Sequence, residues 1–188
     1  MIRCFLAIDL PETIRPQLAL LQGELKKTGA DVRWVAVGNI HLTLKFFGNV
    51  PDNEIDAIVQ AARDVAAEQH PFELQATQAG AFPNMKSPRV VWVGLGGETV
   101  PLAQMYHQLE KAFEVLGHPP EGRAFNPHLT LGRVKSPANR HRLSLALEKL
   151  PPLKWPPFMV KEIILFKSTL TPQGSIYAPL KVIKLGEM

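Results

Sequence analysis

The chain has 188 residues and a single cysteine, Cys4, so an intramolecular disulfide is impossible and a thiolate zinc site is excluded. No stretch approaches the roughly 20 apolar residues that a membrane-spanning helix needs. The opening MIRCFLAIDL is too short for a secretion signal and is broken by Asp9. Low-complexity tracts are lacking too, because the 17 prolines are scattered as punctuation. Charge of one sign is in small excess only: 21 Lys and Arg against 17 Asp and Glu leave a formal +4. That suits a polyanionic ligand but not a histone-like tail. Aromatic residues reach 7%, and no RNP-like pattern surrounds Trp34, Trp92 or Trp155. What is present is a globular composition, 46% hydrophobic and 20% charged, which excludes disorder as the dominant state. The expectation is a cytoplasmic, monomeric protein of one domain spanning residues 1–188, with no membrane contact.

Periodicity predicts an α+β chain. Apolar or β-branched runs at Arg3–Ile8, Val32–Val35, His41–Phe47, Phe72–Phe82, Arg89–Leu95, His128–Val134, Phe158–Lys167 and Ser175–Leu185 read as strands. The last two form a hairpin around Pro172-Gln173-Gly174. Helical spacing places a helix after Pro11 with Thr13 as N-cap, and another from Pro51-Asp52. A third carries Leu102 to Leu116, and a fourth is opened by Ser136-Pro137. The tetrapeptide HLTL occurs at His41 and again at His128, an offset of 87 residues. A shift of about that size also superposes the surrounding strand–helix–strand–helix–strand order. The pattern predicts an internal duplication: two lobes of mostly antiparallel sheet with flanking helices, related by a pseudo-two-fold axis, and a cleft between them.

With 6 histidines in the chain, two copies of HLTL at matching points of a repeat are not an accident of composition. On a strand, alternate side chains share a face. Leu42 and Leu44 then enter a core while His41 and Thr43 project outward; Leu129, Leu131, His128 and Thr130 repeat the arrangement. If the two faces meet across the cleft, two imidazoles and two hydroxyls converge. Such a set suits a phosphodiester. One neutral imidazole accepts a proton from the attacking oxygen, an imidazolium donates to the leaving oxygen, and hydroxyls donate to the non-bridging oxygens. Histidine titrates near neutrality, so both forms are accessible. Spacing alone does not say which histidine plays which part. Two other readings stand beside this one: solvent-facing His and Thr on half-buried strands, and a zinc site. The zinc site needs a third ligand, and no Asp, Glu or His sits at strand spacing beside either motif.

The paired HxTx motifs, the opening RCFLAIDLP, and the extended forms HLTLKFFG and NPHLTLGR resemble the two-histidine (2H) phosphoesterase superfamily. The likeness is nearest to the RNA 2′,3′-cyclic phosphodiesterases, also called 2′-5′ RNA ligases, and covers Arg3 to about Thr169. The resemblance implies a bilobal fold and hydrolysis of RNA 2′,3′-cyclic phosphate ends to 2′-phosphate, without metal or other cofactor. It also implies His41 as general acid toward the 3′ oxygen, His128 as general base toward water, and Thr43 and Thr130 as phosphate ligands. Reverse 2′-5′ ligation is implied as well, and RNA with a cyclic phosphate end, tRNA fragments included, as the partner. The alternatives are a 2H enzyme for another cyclic nucleotide or a 2′-5′ oligonucleotide, and a non-catalytic RNA-binding protein.

Arg133 matches the family's phosphate-binding arginine, yet strict alternation puts it on the Leu129 and Leu131 face, away from the cleft. A bulge at Gly132 or a long reach is needed. Its counterpart in the first motif is Phe46. Lys45 and Phe47 share the parity of His41 and are candidates to extend the site. His70, His107, His118 and His141 lack partner spacing and read as surface or packing residues. The basic cluster Arg133, Lys135, Arg140 and Arg142 is a candidate for steering RNA.

Overall fold

The computed structural model describes residues 1–186, which form nine strands and four α-helices. In chain order they are β1 (Ile2–Ile8), α1 (Arg15–Lys26), β2 (Val32–Trp34), β3 (Leu42–Val50), α2 (Ile55–Ala67), β4 (Phe72–Phe82) and β5 (Val90–Gly97). The remainder are α3 (Thr99–Val115), β6 (His128–Val134), α4 (Arg140–Lys149), β7 (Phe158–Val160), β8 (Glu162–Thr171) and β9 (Gly174–Lys184). Two antiparallel sheets result, ordered β3-β1-β8-β9 and β2-β6-β5-β4-β7. The α+β class and the two lobes agree with the sequence reading. No helix among the described residues is long and apolar enough to cross a membrane.

The lobes are not the two halves of the chain. β1 and β3 come from the first half, but the inner strand beside β1 is β8, from the second. Reciprocally, β5 and β6 are joined by β4 from the first half. The helices cross over likewise. From α3, Glu110 and Phe113 reach Lys45 and Phe47 of β3, while on α1 Gln22 donates to the carbonyl of Leu131 in β6. Each half thus lends two strands and a helix to the other lobe, β2, β4 and α1 from the first and β8, β9 and α3 from the second. Leu6, Leu18, Leu74, Leu102, Leu131 and Leu165 are all fully buried in one continuous core. Each such side chain contributes about 1.5–3 kcal/mol by its removal from water.

Three local expectations are corrected. The run Phe158–Lys167 is two strands, because the chain passes from one sheet to the other at Lys161; its apolar residues continue across the switch without a breaker. Helix α1 begins at Arg15 with Ile14 at the N-cap and no side-chain cap, so Thr13 does not serve, although Pro16 stands in the first turn as expected. Ser136-Pro137 precede α4 as a separate turn, with Arg140 N–H donating to the carbonyl of Pro137. The helix N-cap is Asn139 at φ 53°, held by its amide on the carbonyl of Gly29.

Candidate active site

β3 lies at the edge of its sheet, and β2 covers only the Gly132–Val134 end of β6. The His128 end is therefore free to face β3, and the two strands touch across the lobe interface. Leu42, Leu44, Leu129 and Leu131 are buried, as alternation requires. His41, Thr43, His128 and Thr130 line one cavity of about 530 Å³ between the lobes. The convergence read from the repeated tetrapeptide is thus what the fold produces.

Each imidazole is held by the same device. Nδ1 of His41 lies 2.7 Å from the carbonyl oxygen of Asn39, and Nδ1 of His128 lies 2.6 Å from that of Asn126. A carbonyl only accepts, so Nδ1 carries the proton in both rings and Nε2 is left for proton transfer in the cavity. The repeat is therefore N-x-H-L-T-L, and the shared asparagine was a sequence signal for this clamp. Its side chain also ties down the chain: the Asn39 amide donates to the carbonyl of Ser175 at 2.8 Å.

Aromatic rings enclose both histidines. Phe5 stacks on His41 with centroids 4.6 Å apart, and Tyr177 meets it edge-on at 5.4 Å. Phe82 meets His128 edge-on at 5.0 Å. Burial holds both imidazoles below their ordinary pKa, since a charged ring loses hydration there. Opposing this at His41 are the Asn39 hydrogen bond and the Asp9 carboxylate. At His128 the Asn126 hydrogen bond also opposes it, while the Arg123 and Arg133 guanidiniums add to the depression. The local charges therefore favour a proton on His41 over one on His128.

Arg133 lines the cavity. Pairing of β6 with β5 runs Trp92 to Thr130 and then Val91 to Gly132, leaving Leu131 without a partner. This bulge falls at Leu131 rather than at Gly132, resets the parity and returns Arg133 to the histidine face. Gly132 serves a different end: a Cβ there would stand 2.6 Å from Cγ1 of Val32, so glycine lets β2 lie against β6. β3 bulges at the matching residue, Leu44, because Ala7 pairs with Thr43 and Leu6 with Lys45. Phe46 is thereby turned into the cavity.

The same bulge overturns the reading of Lys45 and Phe47 as site residues. Both face inward. Lys45 is 3% exposed, ion-paired with Glu110 of α3 at 2.7 Å and bonded to the carbonyl of Pro119 at 2.6 Å. Phe47 packs edge-on against Phe113 and His118. Glu110 also accepts the backbone N–H of Glu121 at 2.8 Å, and Tyr106 stacks on Phe125 at 4.0 Å. Residues 117–127 are thus pinned to α3, which sets Arg123, Phe125 and Asn126 around the cavity. Phe46, Phe82, Tyr106, Arg123, Phe125 and Tyr177 were not identified from the sequence as site residues. They come from three strands, helix α3 and the loop before β6, without a shared motif. None of the three tryptophans lines the cavity, and of the basic cluster only Arg133 does. Among the described residues, no group of three or more His, Cys, Asp or Glu is placed to hold a metal ion.

Two acid/base groups, two hydroxyls and a guanidinium around one cavity can bind a phosphodiester and move protons on both sides of it. Comparisons with known proteins point the same way. A family model described as LigT like phosphoesterase matches residues 8–92 and 96–177. The chain is 38% identical to the RNA 2′,3′-cyclic phosphodiesterase of Methanothermobacter thermautotrophicus, covering 98% of this chain and 99% of the relative. It is 35% identical to the same-named protein of Methanocaldococcus jannaschii, covering 95% and 98%. The crystal structure of E. coli LigT complexed with 3′-AMP superposes with a TM-score of 0.80 at 30% identity, over 99% of each chain. The chain belongs to the LigT-like phosphoesterase family.

Proposed function

We propose that the protein is an RNA 2′,3′-cyclic phosphodiesterase that opens the cyclic phosphate to a 2′-phosphate by two-histidine acid/base catalysis. The observation that carries this reading is the pair of imidazoles, each with Nδ1–H locked on a backbone carbonyl and Nε2 free, in one cavity with Thr43, Thr130 and Arg133. His128 Nε2 accepts a proton from water as the water oxygen bonds to phosphorus. The P–O3′ bond breaks, and His41 Nε2–H protonates the departing oxygen. The products are a 2′-phosphate and a 3′-hydroxyl, and the two imidazoles exchange protons with solvent to reset. Thr43, Thr130 and Arg133 hold the non-bridging oxygens, where negative charge builds. Asp9 near His41 and the arginines near His128 support this division of labour.

No metal or other cofactor enters this scheme. With an RNA 5′-hydroxyl in place of water as the nucleophile, the same groups break the P–O3′ bond and join two ends by a 2′-5′ linkage. Hydrolysis dominates because water is abundant, while a second RNA end must be bound and oriented. We also infer that the chain is one domain built by internal duplication, a monomer of the cytoplasm whose substrates include tRNA fragments. The matching bulges at Leu44 and Leu131 support the duplication.

The test is to incubate the protein with RNA carrying a 2′,3′-cyclic phosphate, with and without EDTA, and to identify the terminal phosphate. A 2′-phosphate in both samples is the expected result. Loss of turnover with EDTA overturns the metal-free scheme. Binding of RNA with no turnover in either sample would instead leave a shape-reading RNA-binding protein.

A further inference from the structure

We propose that Arg33 of β2 forms a second phosphate subsite at the cavity mouth, holding the next phosphodiester of an RNA strand whose cyclic end lies between the histidines. This rests on the cyclic phosphodiesterase reading and names its substrate class: the end of an oligoribonucleotide rather than a cyclic mononucleotide.

Arg33 is the direct cross-strand partner of Arg133, and Arg133 is the partner of Val90 on its other side. Directly opposed residues share a face of the sheet, with Cβ atoms about 4.5–5.5 Å apart. Arg133 and Val90 both line the cavity. Val35, two residues beyond Arg33 and tied to the carbonyl of Leu131 by its N–H, lines it too. Arg33 therefore stands on the cavity's face of β2, one strand outward from the phosphate-binding arginine.

Charge makes the pair informative. Like charges directly opposed across a sheet are destabilising. Two other arginines are ion-paired: Arg15 reaches Asp9 at 3.0 Å, and Arg123, which lines the cavity, reaches Glu121 at 3.1 Å. Arg33 and Arg133 have no ion-pair partner among the described residues. The next residues outward, Asp31 and Lys135, bring one charge of each sign and leave the excess of two in place. Two exposed guanidiniums held side by side without an acid are a cost in the free protein and a fit for two adjacent phosphates. The β8–β9 turn stands beside Arg33: a Cβ on Gly174 would lie 4.0 Å from its Nη2, in ordinary contact. A single phosphate engages Arg133 alone. A chain continuing outward passes Arg33.

The experiment measures binding, so that its outcome is separate from turnover. A fluorescent trinucleotide ending in a 2′-phosphate is titrated against wild type, Arg33→Gln and Arg33→Lys over a salt series, with a nucleoside 2′-phosphate as the one-phosphate reference. In Arg33→Gln the ratio of trinucleotide to nucleoside affinity falls about tenfold, and the log–log salt slope becomes shallower by about 0.7, one phosphate's share on a single strand. Arg33→Lys restores the slope. An unchanged ratio and slope in Arg33→Gln overturns the subsite, whether or not wild type hydrolyses cyclic phosphate. A wild type that binds the trinucleotide no better than the nucleoside does the same. Failure of the cyclic phosphodiesterase reading shows instead in the turnover assay.

Discussion

β3 and β6 carry the same four residues, the same one-residue bulge and the same histidine clamp, and they part company immediately afterwards. At the residue following the bulge, β3 has Lys45, driven inward onto Glu110, where β6 has Gly132, which lets β2 lie close. One residue further, β3 offers Phe46 to the cavity and β6 offers Arg133. The surroundings follow the same division. The stacked ring of Phe5, the edge-on ring of Tyr177 and the carboxylate of Asp9 stand around His41, while Arg123 and Arg133 stand around His128. The shared part builds two equivalently clamped imidazoles. The unshared part gives them unequal surroundings, as the proposed acid and base require.

The largest losses are expected at the histidines themselves. His41→Ala and His128→Ala each lower turnover on a cyclic phosphate end by about 10²–10⁴-fold. Near-normal turnover in either would show that the pair does not act as acid and base. Next in size is the buried lysine that exists only on the β3 side. Lys45→Met strands Glu110 and costs about 3–5 kcal/mol of stability, read from denaturant unfolding. A loss well under this would show that the pair is not what anchors residues 117–127. Third, exchange at the asymmetric position separates charge from stacking. Arg133→Gln lowers kcat/KM about tenfold or more, as expected for losing a charged hydrogen-bond donor worth about 1.5–3 kcal/mol. Phe46→Leu changes it less, and the reverse order would relocate the phosphate.

The smallest effects are in pH. Both imidazoles titrate below their ordinary value of about 6.5, so the optimum of kcat/KM, which reports the free enzyme, lies below that pH. A bound phosphate favours both imidazolium forms, and the optimum of kcat therefore lies higher. Asp9→Asn removes a charge that raises His41, so the alkaline limb of kcat/KM moves to lower pH; no movement, or movement upward, would contradict the assignment of His41 as acid. The same depressed values give the folded protein fewer bound protons than the unfolded chain just below pH 6.5. The histidines' contribution to stability is thus complete above that pH and lost as pH falls through the folded values.

Much of the site was legible because strand alternation is a strict geometric rule. From His41-Leu42-Thr43-Leu44 alone the buried and projecting residues follow, and the second copy supplies the other wall of the cleft. The rule failed at Lys45, Phe46, Phe47 and Arg133 for one reason: a bulge adds a residue and inverts parity, and nothing in HLTLKFF or HLTLGRV marks where it falls. Arg133 was placed in the site by family likeness against alternation, and the bulge at Leu131 reconciles the two. Phe158–Lys167 misled in a related way. A continuous apolar run satisfies two sheets as well as one, so the switch at Lys161 leaves no trace in composition. Phe82, Tyr177 and Phe125 had no signal, since an aromatic residue on a strand or loop reads equally as core.

The sequence by itself determined the groups on offer: a repeated face of His and Thr, too few cysteines for thiolate metal binding, and a small excess of positive charge. Those features are local, carried by residue type and a period of two. Tertiary structure alone decided how the chain shares itself out. Each half lends two strands and a helix to the other lobe, and that exchange places β3 against β6. It also decided which cation faces the cavity, because unpaired Leu44 and Leu131 are properties of strand pairing, set by neighbours far away in sequence rather than by the motif.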